Sequence, residues 1–275
     1  KDETTQPHIK KRVETAVEFL RTLIYEDNRA TTKMLSDLFN HFKIFDNPKP
    51  ISVLSKIIDY TTAPDSIIID FFSGSATTAH AAMQLNSEDG GNRKFIMVQL
   101  QEKTDETSEA YKAGYKNICE IGKERIRRAG KKILEENKDK EGIENLDIGF
   151  RVLKLDDTNM TDVYYSPSEY SQNLLSSLES NVKPDRSDLD LLFGCLLEWG
   201  LPLSLPYACE NIGEYTVHNY NDGDLIACFD ENISENVIKE IAEKRPLRAV
   251  FRDSSFANSP SKINVAEIFK LLAPD

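Results

Sequence analysis

The sequence predicts an α/β protein, and three features support that prediction. An isoleucine-rich segment at residues 66–72, bounded by turn residues, predicts a fully buried strand and leads through Ser73 and Gly74 directly into a helical segment. A second apolar strand segment at residues 95–100 follows one helix later, and a further helix is predicted at about 51–60. In the second half of the chain, helix-like segments at 189–199, 236–244 and 265–272 alternate with strand-like segments at 225–229 and 247–251. Such alternation is typical of sheets covered by helices, so we expect a sheet in each half of the chain.

The strand–turn–helix unit at residues 66–83 is the candidate ligand site. Gly74 can adopt backbone angles that other residues avoid, and without a side chain it lets a ligand approach closely. The helix that follows presents free backbone N–H groups and the positive end of its dipole, which suits a carboxylate or a phosphate. The alternative is that this turn only connects two elements.

Composition and charge restrict the classes of function. At 275 residues the chain can hold one large or two ordinary domains, and a net charge of −12 argues against a general nucleic-acid coat.

The four cysteines are far apart and form no CxxC pair, which disfavours disulfides and a zinc site and favours a protein of the cytoplasm. The histidines are scattered too, so we expect no metal site, and no apolar run approaches the ~20 residues of a membrane span. Because the chain begins with Lys1, we expect a fragment or processed product of a longer protein.

Three phrases of the sequence, taken together, resemble a known family. FDNPKP at residues 45–50, DFFSGSATTAH at 70–80 and KFIMVQL at 94–100 resemble, in this order, motifs X, I and II of amino-methylating DNA methyltransferases. The nearest resemblance is to the modification (Mod) subunit of type III restriction–modification systems, which GFRV at 149–152 and KINV at 262–265 also resemble. The resemblance extends from about Thr32 to the C-terminus.

The resemblance implies a partial Rossmann-like sheet that binds S-adenosylmethionine, with flanking helices and a smaller C-terminal α/β domain. Asp70 would meet the ammonium group of the cofactor, although an acid at a strand end can also cap the next helix. Gln99 or Glu102 would accept from the ribose, where many nucleotide folds have an acid, and Ala76 replaces a second glycine of the family pattern. The implied cofactor-binding residues are Lys49, Pro50, Asp70, Phe71, Phe72, Ser73, Gly74, Ser75, Thr77 and Gln99.

The resemblance also divides the chain into three parts. Residues 1–45, with two amphipathic helical patterns, would be the end of the target-recognition region. Residues 46–155 would be the cofactor-binding half of the methyltransferase domain, and residues 156–275 a C-terminal α/β domain for subunit interaction. We further predict one long helix at about 108–137 and a strand at 149–155.

The predicted long helix is rich in basic residues. A solvated helix face is one explanation for them. The other is contact with the DNA backbone, for which the candidates are Arg125, Arg127 and Arg128.

Three hypotheses for the function remain open. The first is the S-adenosylmethionine-binding part of a DNA adenine-N6 methyltransferase, inactive alone because the chain has no Asp/Asn-Pro-Pro-Tyr/Phe motif and hence no catalytic residues of its own. The second is a non-catalytic module that docks the restriction subunit or a second Mod copy, as in a Mod homodimer. The third is an unrelated dinucleotide-binding enzyme, which the incomplete glycine pattern disfavours. DNA would be a partner of the full-length protein, and no membrane is expected.

Overall fold

The computed structural model describes residues 24–161 and 181–274. These residues divide into two units, one ending at Phe150 and the other beginning at Arg151. Each unit has its own sheet and its own buried apolar clusters, so the predicted mixed α/β class is confirmed. The roles given to residues 1–45, 46–155 and 156–275 stay predictions, and the first helix predicted in 1–45 lies almost wholly outside the described residues.

The first unit is a helical layer over a short parallel sheet. Helix α3 (Thr77–Asp89) is its centre, because its Ala79 and Met83 are buried against helix α5 (Ile118–Glu136) and the small alanine side chain allows the two helices to approach closely. Leu35 of helix α1 (Asn28–Leu38) is buried against Ile121 of α5. The elements are α1 (Asn28–Leu38), α2 (Ile51–Thr61), β1 (Ile67–Asp70), α3 (Thr77–Asp89), β2 (Lys94–Met97), α4 (Glu109–Lys112) and α5 (Ile118–Glu136).

Strands β1 and β2 pair in parallel, as a strand–helix–strand unit requires. Ile68 and Phe95 face the helices, whereas Ile67 and Ile69 on the other face are 62% and 52% exposed. The prediction that the β1 strand is buried on both faces is therefore wrong for the described residues, because nothing among them covers the second face. This sheet of two strands fits a Rossmann-like arrangement but does not identify one.

Two further predictions for this part of the chain are wrong. The long helix is divided into α4 and α5, because Gly114 adopts a φ of +98° that an α-helix does not accommodate. Residues 149–155 form no strand in the described structure, and Val152 and Leu155 lie exposed with no neighbouring strand to pair with. Alternating apolar and polar residues form a strand only where a partner strand is available.

The second unit is a four-stranded sheet between helices. Strand order is β3-β4-β5-β6, antiparallel except for the parallel pair β5–β6. Ile226 and Cys228 of strand β5 (Leu225–Cys228) face helices α7 (Glu235–Glu243) and α8 (Ser259–Leu272). Leu225 and Ala227 of the same strand face helix α6 (Asp188–Glu198). The elements are α6 (Asp188–Glu198), β3 (Tyr207–Ile212), β4 (Tyr215–Tyr220), β5 (Leu225–Cys228), α7 (Glu235–Glu243), β6 (Ala249–Phe251) and α8 (Ser259–Leu272).

The helices and strands predicted after residue 188 are confirmed, but the hairpin β3–β4 was not predicted. Its first strand is mostly exposed and polar, so it shows little hydrophobic pattern. The signal that could have found it is the two-residue loop at Gly213, which has a φ of +63°. Arg151 of the GFRV phrase belongs to this unit, where its guanidinium donates to the carbonyls of Leu203 and Leu205 just before β3.

None of the helices formed by residues 24–161 and 181–274 combines the length and the apolar character of a membrane span. Within the same ranges, no three His, Cys, Asp or Glu side chains gather as metal ligands.

Candidate functional site

The loop between β1 and α3 has an unusual backbone. Gly74 has a φ of +51°, which glycine adopts at no cost. Ala76, the N-cap of α3, has a φ of +58°, which costs a residue with a Cβ roughly 1–2 kcal/mol. Ala76, which stands where the resemblance implies a second glycine, is thus a strained residue in the left-handed region. Strain of this kind concentrates at binding and catalytic sites.

Asp70 fastens the two ends of this loop. Its Oδ1 accepts from the Phe72 N–H at 3.1 Å, and its Oδ2 accepts from the Thr78 hydroxyl at 2.6 Å. Each carboxylate oxygen has a further lone pair, and the side chain is half-buried. The structure therefore gives Asp70 a loop-fixing role and leaves it able to accept from a ligand.

Gln99 binds the loop from β2. Its Oε1 accepts from the Gly74 N–H at 2.8 Å, which uses one lone pair of this oxygen and leaves the second able to accept from a ribose hydroxyl. Its amide nitrogen donates to the Leu100 carbonyl at 3.3 Å. Glu102 is exposed. Of the two candidates for ribose binding, Gln99 thus touches the loop and Glu102 lies free on the surface.

Helix α5 supports the underside of the loop. Gly122 allows the close approach, because a Cβ there would lie 3.4 Å from the Gly74 carbonyl and 3.5 Å from the Ala76 Cβ. One turn further on, Nη1 of Arg125 donates to the Thr77 hydroxyl at 2.7 Å and to the Ser75 hydroxyl at 2.8 Å. The Ser75 carbonyl accepts from the same nitrogen at 3.3 Å.

Arg125 is fully buried, so the prediction that it contacts DNA at the surface is wrong. The sequence offered a signal for this position. Arg125 follows Ile118 and Gly122 at helical spacing and lies in the middle of the apolar stripe of α5. Its charge led to its assignment to the basic face.

The interior beside the loop is electropositive. Burial lowers the pKa of Arg125 to about 10 and leaves it charged at neutral pH. Burial, with the nearby charges of Arg125 and Lys132, lowers the pKa of His80 to about 3, so this imidazole is neutral. Among the described residues, Nδ1 of His80 and Nε and Nη2 of Arg125 have no hydrogen-bond partner.

The first half of the loop is exposed and the second half is buried. Phe71 and Phe72 are 66% and 90% exposed, whereas Ser75 and Ala76 are 3% and 2% exposed. The segment at residues 45–50 reaches the same place, because the Phe45 ring lies 3.7 Å from where a Cβ on Gly74 would stand. Pro50 is the N-cap of α2 and Lys49 is exposed beside it. The structure thus brings the first two predicted motifs together.

Two open surface cavities lie away from the loop. One of about 720 Å³ is lined by α1 and by Asp46 and Asn47, at the beginning of the first motif. Another, of about 470 Å³, lies along α8 in the second unit.

The other two basic candidates lie at the surface of α5. Arg127 is 51% exposed, 3.7 Å from Glu124, with its guanidinium 5.4 Å from the centre of the Phe150 ring. Arg128 is held more firmly, since it pairs with Glu124 at 2.7 Å, stacks on Phe39 and donates to the Leu38 carbonyl. Contact of either residue with DNA stays a prediction, and Arg127 is the more available of the two.

Comparison with known proteins agrees with the motifs. A family described as DNA methylase matches residues 3–110, which contain the loop, β1, α3 and β2. The EcoP15I Mod subunit of Escherichia coli, a type III restriction–modification protein, is 31% identical over 266 residues, covering 92% of this chain and 38% of the relative. The chain is a relative of the type III Mod subunits.

Other Mod subunits match the same chain. The StyLTI Mod subunit of Salmonella typhimurium is 43% identical over 134 residues, covering 47% of this chain and 20% of the relative. The EcoPI Mod subunit of Escherichia phage P1 is 27% identical over 253 residues, covering 88% of this chain and 37% of the relative. The chain therefore spans between about a fifth and two fifths of the length of these Mod subunits.

Proposed function

We propose that this chain carries the S-adenosylmethionine-binding half of a DNA adenine-N6 methyltransferase of the type III Mod kind. The observation that carries the proposal is the loop at residues 71–76. It begins with the exposed Phe71 and Phe72, is fixed by Asp70, Gln99 and Arg125, and is contained in the region that matches the DNA methylase family.

The residues present fit this cofactor. S-adenosylmethionine carries an ammonium group, a carboxylate and a sulfonium from which a methyl group is transferred. Asp70 supplies an acceptor for the ammonium group, and the N-terminus of α3, which has no side-chain cap, supplies N–H donors for the carboxylate. The cation of Arg125 and the N-terminus of α3, which has no side-chain cap, make this corner complementary to an anion rather than to another cation.

Holding the cofactor is the part of catalysis that these residues can perform. A donor fixed in one orientation converts an encounter into an intramolecular-like step, an effect worth ~7–11 kcal/mol when both reactants are positioned. Orientation of the adenine amine requires acceptors and an aromatic platform for a flipped base. We assign those groups to the part of the full-length protein that this chain does not include.

The uncovered face of the β1–β2 sheet supports this division. Ile67, Ile69, Ile96 and Val98 form one apolar face that the described residues leave exposed. An apolar sheet face is stable when another layer covers it. Since the Mod relatives are more than twice as long as this chain, we propose that the amine-positioning half covers this face in the whole protein.

Isothermal titration calorimetry tests the proposal. We expect S-adenosylmethionine to bind and a nicotinamide dinucleotide not to bind. Asp70→Ala should lower the affinity for S-adenosylmethionine about 10-fold or more, because it removes a charged acceptor and loosens the loop. Asp59→Ala, at an exposed position of α2, is the control and should change nothing. Equal affinity in wild type and Asp70→Ala would contradict the assigned site.

A second candidate function, docking of a partner subunit, is favoured by one surface of the second unit. Leu197 and Leu247 are exposed, and the Arg248 guanidinium lies 5.4 Å from the centre of the Trp199 ring. Tryptophan and arginine are enriched where protein partners bind. The matched relatives are themselves subunits of larger enzymes, and we propose a restriction subunit or a second Mod copy as the partner.

Pull-down with the full-length protein tests this candidate. Trp199→Ala with Leu247→Ser should reduce capture of the restriction subunit, or shift the protein from dimer to monomer in analytical ultracentrifugation. Methyl-donor affinity should not change, because these residues lie outside the unit that holds the loop. Unchanged capture and unchanged mass would contradict the docking function.

A further inference from the structure

Arg125 is a buried cation that the described protein does not neutralise. It has no exposed surface, and the groups that accept from it are two hydroxyls and one carbonyl, none of them charged. Burial alone accounts for the lowering of its pKa, with no contribution from a carboxylate. Among the described residues, Nε and Nη2 have no acceptor at all.

The location makes this arrangement more unfavourable. Arg125 touches Ser75 and Thr77, where α3 begins, and a helix N-terminus carries a positive partial charge. Two positive charges in one buried corner repel each other, and an uncompensated buried charge costs several kcal/mol. An anion at the loop would remove both costs.

A second buried arginine in the same unit shows the ordinary solution. The Arg93 side chain is 2% exposed and pairs with Asp89 at 2.8 Å, while its Nε donates to Thr62. The protein thus supplies a carboxylate to Arg93, at the far end of α3, and supplies none among the described residues to Arg125. The missing carboxylate at Arg125 is therefore specific to the loop end of the helix.

We infer that Arg125 is a positioning residue for the carboxylate of the bound ligand. This inference rests on the proposed function, because S-adenosylmethionine supplies the carboxylate. Nη1 of Arg125 donates to Ser75 and Thr77, and its charge favours an anion at the N-terminus of α3. Arg125 does not touch the ligand, since it has no exposed surface.

Two ligands that differ in this one group test the inference in the full-length protein. S-adenosylhomocysteine carries the carboxylate, whereas S-adenosyl-3-thiopropylamine keeps the amine and lacks it. The measured quantity is the ratio of their dissociation constants. Arg125→Gln keeps hydrogen-bond donors and removes the charge, and Arg125→Lys keeps the charge. Arg93→Gln is the control for loss of a buried arginine.

We expect the wild type to prefer the carboxylate ligand about 10-fold or more. Arg125→Gln should lose most of this preference, whereas Arg125→Lys and Arg93→Gln should keep it within about threefold. Equal preference in Arg125→Gln and wild type would overturn the inference and leave the proposed function standing. A wild-type preference below threefold would overturn it even if Arg125→Gln failed to fold. Failure of the wild type to bind either ligand would overturn the proposed function and this inference together.

Discussion

The two ends of α3 lie in the same unit, and each has a buried arginine beside it, yet they are built differently. At the C-terminal end Gly90 is the left-handed cap, Arg93 pairs with Asp89, and the Asn86 side chain bonds both backbone groups of Arg93. At the N-terminal end the cap is the strained Ala76, which has no capping side chain. There the described residues leave nitrogens of Arg125 and His80 without partners. The polar groups at the C-terminal end are hydrogen-bonded, whereas buried nitrogens at the N-terminal end are unpaired among the described residues.

This difference separates an end of α3 that is built for stability from the end that lies at the proposed ligand site. Buried polar groups in native proteins are almost always paired, so a cluster of unpaired ones needs an explanation. Their position beside the loop, which lies in the region that matches the DNA methylase family, supplies one.

Arg93→Met should be the most destabilising of these changes. It removes the partner of Asp89, and we expect a loss of about 3 kcal/mol, at the lower end for a buried pair because Asp89 is partly exposed. Urea unfolding followed by circular dichroism measures it, since the one tryptophan, Trp199, reports on the second unit. Cofactor affinity of the folded variant should stay within threefold. A loss below 1 kcal/mol would contradict the structural role of this end.

His80 should make the first unit sensitive to acid. Its pKa is about 3 when folded against 6.5 when unfolded, so its contribution is complete above pH 6.5 and is lost as the pH falls towards 3. One such group changes stability by up to ~1.4 kcal/mol per pH unit, or about 2 kcal/mol between pH 6.5 and 4.5. Unfolding measured at both values should show this loss in wild type and not in His80→Leu. His41→Leu, at an exposed position, is the control and should behave as wild type.

Gly122→Ala should affect the loop more than the fold. The new Cβ would lie 3.4 Å from the Gly74 carbonyl, so the loop must shift by a few tenths of an ångström. Alanine in a helix gains about 1 kcal/mol over glycine, so we expect little net change in stability and about a 10-fold loss of S-adenosylmethionine affinity. Gly130→Ala, two turns along the same helix, meets Ile148 instead and should lower stability while sparing affinity. The opposite pattern would contradict the role of α5 beneath the loop.

Arg127→Ala should have the smallest effect. If its exposed charge meets a DNA phosphate in the full-length protein, the slope of log affinity against log salt should fall by about one. Arg127→Lys should restore the slope. An unchanged slope in Arg127→Ala would return this residue to the solvated face of α5.

The sequence could predict the part of the fold that depends on local pattern. The β1–loop–α3–β2 unit, α2, α6, α7 and the strand pair β5 and β6 were each predicted from apolar periodicity and turn residues. The strand at 149–155 was wrong because pairing depends on a neighbour that the pattern does not show. The hairpin β3–β4 was missed because its first strand lies exposed at an edge.

The site divides in the same way. The loop and Asp70 could be predicted because they follow one another in the chain. The burial of Arg125 could be predicted from the apolar stripe of α5, but its contacts with Ser75 and Thr77 could not, because they span 50 and 48 residues of sequence. Gln99 lies at the loop, where its Oε1 accepts from the Gly74 N–H, and its contact with a ribose stays a prediction. Contacts between distant segments decide these roles, and a single sequence does not contain them.

Hydrogen–deuterium exchange of the full-length protein, with and without S-adenosylmethionine, tests the central claim most directly. The account predicts slower exchange in peptides that cover residues 70–78, with no change at the C-terminal end of α3 or in the second unit. Protection confined to another segment, with residues 70–78 unchanged by a cofactor that binds, would contradict it.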